Sequence, residues 1–217
     1  MLKRALLVMV LMGCGQAKST APESTSATTA QDDGVYEAPP LEDGQAETIF
    51  AGGCFWCMES SLEKLPGVID VVSGYTGGPG KVNYQQIGTG RTGHYEAVRV
   101  IYDPTKTDYP TLLDAFWHNI DPTQGNGQFC DRGPQYRSAI FVDDPEQKAL
   151  AEKTKAEAGE TLNADIVTEI LPISTFWVAE EYHQDFYKKK PVHYTRYRTG
   201  CGRDARLKQL WGDAAGH

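Results

Sequence analysis

The chain has 217 residues, with 29 acidic and 21 basic side chains and a formal net charge of −8. This balance excludes a nucleic acid as the main partner, because contact with a phosphate backbone requires a basic surface. The length predicts one domain with a sizeable hydrophobic core after an N-terminal segment is set aside.

The N-terminus has the pattern of an export signal. Lys3 and Arg4 precede an apolar run, residues 5–12, that is too short to span a bilayer. We therefore predict a signal peptide over residues 1–13. The sequence Leu-Met-Gly-Cys that ends at Cys14 resembles the box at which bacterial lipoproteins are cleaved and lipidated. This interpretation predicts an exported protein, anchored by its lipid and facing the periplasm or the cell exterior. An ordinary signal peptide with an accidental cysteine is the alternative.

A tether and a folded domain follow the export signal. Residues 14–43 are rich in Ser, Thr, Ala and Pro and contain few large apolar side chains. Burial in such a segment cannot offset the loss of chain entropy on folding. We predict a disordered tether over these residues and a folded domain over residues 44–212.

The first element of the domain ends beside a cysteine. Residues 47–52 are predicted to form a short apolar strand, which ends at the pair Gly52 and Gly53. After Cys54, apolar residues continue at helical spacing. The glycines allow a sharp turn, and the start of a helix favours a negative charge. This position predicts a lowered pKa and a nucleophilic thiol for Cys54. A buried structural cysteine is the alternative.

The rest of the domain alternates between strands and helices. Proline, glycine and aspartate residues separate the segments and mark their ends. Strands are predicted over 67–74, 95–103, 138–142 and 166–171, helices from 110, over 145–159 and over 176–187, and a long loop over 121–135. This order predicts an α+β fold with helices packed on one mixed sheet.

Four motifs of the domain, taken together, resemble a known family. They are Gly-Cys-Phe-Trp at 53–56, Gly-His-Tyr-Glu-Ala-Val at 93–98, Asp-Arg-Gly-Pro-Gln-Tyr-Arg-Ser at 131–138 and Ala-Glu-Glu-Tyr-His-Gln at 179–184. In this order they resemble the A-type peptide methionine sulfoxide reductases. The resemblance implies a ferredoxin-like α+β core with an irregular C-terminal tail. It also implies reduction of the S epimer of methionine sulfoxide, free or in proteins, without a cofactor.

The resemblance also implies roles for individual side chains. Reduction of a sulfoxide needs a nucleophile at sulfur, hydrogen-bond donors at the oxygen and an apolar slot for the methyl group. Glu96 must be protonated to donate, so it needs an apolar site that raises its pKa. The matching positions are Cys54 as nucleophile, Phe55 and Trp56 as methyl pocket, Glu96, Tyr84 and Tyr136 at the oxygen, and Asp131 as orienting group with Arg137 as a candidate ion-pair partner.

Recycling requires a second thiol. Attack by Cys54 leaves a sulfenic acid, which another cysteine must convert to a disulfide before a thioredoxin-like reductant resets the enzyme. Cys57 lies one helical turn away and is the favoured resolving residue. Cys201, in a Gly-flanked, Arg-rich tail, is the alternative, or a relay that passes the disulfide outward.

Two other functions fit part of the pattern. Cys54 and Cys57 form a Cys-x-x-Cys motif, which is also typical of thioredoxin-like dithiol exchangers, but this leaves the Glu and Tyr positions unexplained. Together with Cys130 and Cys201 they could instead hold a structural zinc ion. The second pair lacks the close spacing of zinc ligands, so we expect no metal.

Overall fold

The computed structural model describes residues 33–216. Its centre is a seven-stranded mixed sheet in the order β1-β9-β3-β4-β2-β7-β8, in which only the β7–β8 pair is parallel. A separate two-stranded hairpin, β5–β6, lies in the long loop. The strands are β1 Tyr36–Glu37, β2 Ala46–Gly52, β3 Val68–Thr76, β4 Tyr95–Tyr102, β5 Gly127–Gln128, β6 Asp131–Arg132, β7 Ser138–Val142, β8 Glu169–Pro172 and β9 Trp177–Val178.

Seven α-helices accompany the sheet in the described part of the chain. The ends of several follow from local sequence: the Asp144 carboxylate accepts hydrogen bonds from the backbone amides of Glu146 and Gln147, and a proline occupies the first turn. None of the helices within residues 33–216 has the length and apolar character needed to cross a membrane. They are α1 Phe55–Leu62, α2 Tyr84–Ile87, α3 Tyr109–His118, α4 Pro145–Leu162, α5 Phe186–Lys189, α6 Pro191–Gly200 and α7 Arg203–Trp211.

Alternation along the central strands decides which side chains face the site. In β4, Val98 and Val100 belong to the main core cluster, whereas Ala97 belongs to a second cluster on the opposite face. Phe50 of β2 stacks on Phe116 of α3 at a centroid distance of 4.8 Å within the main core. Glu96 shares the alternation of Val98 and Val100, so its carboxyl group points inward beneath α1.

Two predictions about the C-terminal third were wrong. Residues 176–187 do not form one helix, because Trp177–Val178 pair with β1 and β3, and only Phe186–Lys189 are helical. The tail is not irregular either, since it forms α6 and α7. In both cases tertiary contacts override the local pattern.

A buried arginine fixes the tail to the domain. Arg203 donates hydrogen bonds to the carbonyl oxygens of Gly52 at 3.2 Å and Asn119 at 2.7 Å. Its guanidinium also lies over the ring of Phe129 at 4.4 Å. Trp211 adds a hydrogen bond to the carbonyl of Ile120 at 3.1 Å. The tail is therefore part of the folded domain and lies directly behind the Cys54 loop.

The predicted domain boundaries are too narrow at both ends. Val35 is buried, β1 extends the sheet, and the amide of Ala38 donates to the carbonyl of Phe176 at 2.9 Å. At the other end, Ala215 is buried. The predicted signal peptide and Cys14 lie outside the described residues.

Candidate active site

A tight turn places Cys54 at the start of α1. Gly53 has a φ of +81°, and a Cβ atom there would lie 2.5 Å from the Cβ of Gln128. Only glycine fits both demands without strain. Cys54 is the N-terminal cap residue of α1, as the sequence predicted, and its side chain is 5% exposed.

Glu96 lies directly beneath this turn. One of its carboxyl oxygens accepts a hydrogen bond from the backbone amide of Phe55 at 3.2 Å, and the residue is only 2% exposed. Burial raises the pKa of Glu96 to about 8, against the opposing effect of the Phe55 hydrogen bond. The carboxyl group is therefore protonated at neutral pH and can donate a hydrogen bond.

Cys54 and Glu96 face a pocket of about 60 Å³. A volume of this size accommodates the end of a side chain but not an amino-acid backbone. Tyr136 lies in the same lining, close enough to Glu96 and Tyr84 to lower the pKa of both groups against the effect of burial. Burial raises the pKa of Tyr84 to about 12, so its hydroxyl also remains a donor. The lining residues are Cys54, Phe55, Trp56, Tyr84, Glu96, Asp131, Tyr136 and Tyr197.

Aromatic packing holds the apolar wall of the pocket. The Trp56 indole stacks on Phe186 with 3.7 Å between ring centroids and donates its N–H to Nδ1 of His183 at 3.1 Å. Tyr197 packs edge-on against the same indole at 5.8 Å. These contacts fix Trp56 in one orientation, so the wall is formed before any ligand enters.

The Cys54 and Cys57 thiols are both buried, and each affects the pKa of the other. Cys57 is 1% exposed. Burial raises the pKa of Cys54 well above its usual value, with a further increase from Cys57. Interaction with Cys54 lowers the pKa of Cys57 despite burial, and Arg203 and Arg198 lower it further. The predicted lowering at Cys54 is wrong for this state, because burial and its partner outweigh the helix terminus.

Cys201 is paired with Cys130, not with the pocket. The two form a disulfide with 5.0 Å between their Cα atoms, while Cys54 and Cys57 are free thiols. Disulfide sulfurs are not thiolates, so the four cysteines do not form a tetrathiolate zinc site in this state. Asp131 lies between the two cysteine pairs, next to Cys130 in the chain and lining the pocket with Cys54.

Comparison with known proteins identifies the family. The family model described as peptide methionine sulfoxide reductase matches residues 46–215. The peptide methionine sulfoxide reductase MsrA 2 of Caulobacter vibrioides is 54% identical over 178 residues, which cover 81% of this chain and 90% of that protein. The chain belongs to the peptide methionine sulfoxide reductase family.

Solved structures of similar reductases share the fold. The methionine sulfoxide reductase A of Corynebacterium diphtheriae is 34% identical, with a TM-score of 0.63 over 70% of this chain and 77% of that one. Mxr1 from Saccharomyces cerevisiae in reduced form is 32% identical, with a TM-score of 0.66 over 72% of this chain and 90% of that one. The predicted α+β fold is confirmed, and the chain is a methionine sulfoxide-reducing oxidoreductase.

Three further groups belong to the reductase site; the sequence missed Tyr197 and Glu180, whereas a supporting role was expected for His183. Tyr197 lines the pocket, and its hydroxyl donates to the Asp131 carboxylate and lies near the Cys54 thiol. His183 accepts the Trp56 hydrogen bond, and Glu180 accepts from the backbone amide of Tyr84 at 2.8 Å. No sequence signal indicated Tyr197, because the tail was not expected to fold. The motif at 179–184 contained the other two.

The expected ion pair between Arg137 and Asp131 is absent. The guanidinium of Arg137 pairs with Glu169 at 2.6 Å and lies over the ring of Tyr95, rather than pairing with Asp131. Arg137 thus links β8 to β4 away from the pocket. The Asp131 carboxylate takes its hydrogen bond from Tyr197 instead.

Proposed function

We propose that this reductase acts on the S epimer of methionine sulfoxide, with Cys54 as nucleophile and Glu96 as proton donor. The observation that supports these roles is the small pocket in which a thiol and a protonated carboxyl group face each other beside an aromatic wall. Phe55 and Trp56 receive the methyl group, and Tyr84 and Tyr136 hydrogen-bond the sulfoxide oxygen. Asp131 orients the network through Tyr197.

The arrangement supports a stepwise reaction. The Cys54 thiol passes its proton to the Cys57 thiolate and attacks the sulfoxide sulfur, while Glu96 protonates the oxygen. The hydroxyl group then moves from the substrate sulfur to the Cys54 sulfur while the bond between these two sulfurs breaks. The thioether is released, and a sulfenic acid is left on Cys54. Cys54 and Glu96 are almost fully buried, so the hydrogen bonds to the oxygen act in a medium of low dielectric.

Cys57 is the proposed resolving residue. The Cys57 thiol, which holds the proton taken from Cys54, attacks the Cys54 sulfenic sulfur. A disulfide forms, and the hydroxide leaves as water with the Cys57 proton. The two residues are one helical turn apart and both are buried, which supports direct attack between their sulfurs. Cys201 is the weaker candidate for resolving residue or relay, because its sulfur is bonded to Cys130 and offers no thiol in this state. A thioredoxin-like dithiol reduces the Cys54–Cys57 disulfide and completes the cycle.

Substitution of Cys54 tests the proposed nucleophile. Cys54→Ser should abolish sulfoxide reduction while the circular dichroism spectrum and melting temperature stay near those of the wild type, because a hydroxyl is a far weaker nucleophile. Thiol titration of the wild type after one equivalent of substrate should show the loss of both thiols per methionine formed. Substantial activity in Cys54→Ser would refute the assignment.

We also propose that the mature protein is an exported lipoprotein attached to a membrane through Cys14. The charged start, short apolar run and Leu-Met-Gly-Cys sequence support this location. Mass spectrometry of protein from the native membrane should find a lipid-modified N-terminal cysteine. Cys14→Ala should release the protein into the soluble fraction, and a wild-type mature chain beginning elsewhere would contradict the proposal.

A further inference from the structure

The size of the pocket limits what it can hold. At about 60 Å³ it takes the sulfoxide end of the side chain, so the backbone of the substrate lies outside the mouth. A methionine in a protein has polypeptide on both sides, and that polypeptide must rest on the surface near the mouth.

One larger groove borders the pocket at Tyr84. It measures about 700 Å³ and shares Tyr84 with the pocket wall. The grooves beside α6 and beneath residues 37–41 share no residue with the pocket. The groove that shares Tyr84 is lined by Asp33, Asn83, Tyr84, Gln85, Gly88, Thr89, Glu180 and Tyr182.

Tyr182 gives this groove an exposed aromatic surface. The residue is 56% exposed, and its ring packs on His183 at a centroid distance of 4.1 Å. His183 in turn contacts Tyr84 at 4.4 Å, so the three rings run from the groove to the pocket. An exposed tyrosine beside an active site offers a large apolar contact at low entropic cost.

The charged side chains that line the groove already have hydrogen-bond or ion-pair partners within the protein. Glu180 accepts hydrogen bonds from the hydroxyl of Tyr75 at 2.7 Å and the amide of Tyr84 at 2.8 Å. Asp33 pairs with Lys81 at 2.7 Å. The exposed Gln85 carries an amide that can donate to and accept from a main chain. The groove therefore presents aromatic and amide surface without a free carboxylate.

We propose that this groove binds the polypeptide that flanks an oxidised methionine, with Tyr182 as its main contact and little preference for the charge of the flanking residues. The inference rests on the proposed function, since it names the form of the substrate. The polypeptide is thus recognised in the groove, while the chemistry at sulfur takes place in the pocket.

Kinetics with two substrates test the proposal. Tyr182→Ala should lower kcat/KM about tenfold for a short peptide with a central methionine S-sulfoxide, mainly through KM, which corresponds to about 1.4 kcal/mol. For free methionine S-sulfoxide the change should stay below about twofold. Tyr182→Phe should restore peptide kinetics, because the ring remains. Ile69→Ala, at a 51% exposed apolar residue of β3, is the matched control and should change neither substrate.

The possible outcomes are distinct. An unchanged KM for the peptide in Tyr182→Ala, or an equal loss for both substrates, would overturn the proposal. A strong difference in wild-type kcat/KM between peptides flanked by Lys and by Glu would also contradict it. Failure of the wild-type protein to reduce either substrate would instead refute the proposed function.

Discussion

The two cysteine pairs of this domain contain the same chemical groups in opposite surroundings. Cys54 and Cys57 lie three residues apart on one helical turn, buried and reduced. Cys130 and Cys201 are 71 residues apart and bonded to each other, with Cys130 exposed to solvent. Proximity in the chain keeps the first pair together, whereas the second meets only because α6 folds back over the β5–β6 hairpin.

The comparison shows how surroundings assign different tasks to the same side chain. In the buried pair, desolvation raises the pKa of Cys54 and the interaction between the two residues lowers that of Cys57, so the two thiols are no longer equivalent. The surface pair, Cys130 and Cys201, forms a disulfide and therefore offers no thiol for the reaction. It joins the segment that carries Asp131 to the helix that carries Tyr197, and these two residues close one side of the pocket.

Loss of Cys57 should have the largest effect on multiple turnover. In Cys57→Ser, one methionine should form per enzyme molecule, after which steady-state turnover with thioredoxin should fall at least about 10²-fold because the sulfenic acid has no adjacent thiol. Quenched-flow measurement of product per enzyme, with Cys201→Ser as the matched control, checks this. Peptide mapping that finds mainly a Cys54–Cys201 disulfide in both wild type and Cys57→Ser would reverse the roles of the two pairs.

Substitution of Glu96 tests whether sulfoxide reduction by the buried cysteine pair depends on the neighbouring carboxyl group. Glu96→Gln should lower the rate of sulfoxide reduction by about 10²–10⁴, with a smaller effect on binding. Glu160→Gln, at an exposed position of α4, is the control.

The pH dependence gives a second test of Glu96. Its raised pKa keeps the group protonated below about pH 8, so the wild-type rate should fall as the pH rises through that value. This alkaline decline should disappear in the Gln variant. A wild-type rate that stays constant to pH 9 would mean that the proton comes from another group.

Removal of the surface disulfide should affect catalysis least. The double variant Cys130→Ser/Cys201→Ser should retain sulfoxide reduction within about threefold, because neither sulfur reaches the pocket. Its free energy of unfolding should fall by about 4 kcal/mol, because without the disulfide the unfolded chain regains the conformational entropy of a loop of this length. Urea unfolding and single-turnover kinetics measure the two effects. A loss of turnover with thioredoxin, at an unchanged single-turnover rate, would make the pair a relay.

The sequence by itself determined the parts of this protein that depend on neighbouring residues. The strand that ends at Gly52, the turn at Gly53 and the helix that begins after Cys54 follow from backbone freedom and periodicity. The inward direction of Glu96 follows from alternation along β4. The four motifs also indicated the pocket, and every residue predicted for the nucleophile, the methyl slot and the oxygen contacts lines it.

The tertiary structure decided what depends on distant residues. The 176–187 segment has a helical pattern, yet pairing with β1 and β3 makes part of it a strand. The tail folds as helices because Arg203 and Trp211 find carbonyl partners more than 80 residues away. That folding brings Tyr197 into the pocket and Cys201 to Cys130. The protonation state of the buried thiols was also beyond local prediction, because desolvation depends on everything packed around them.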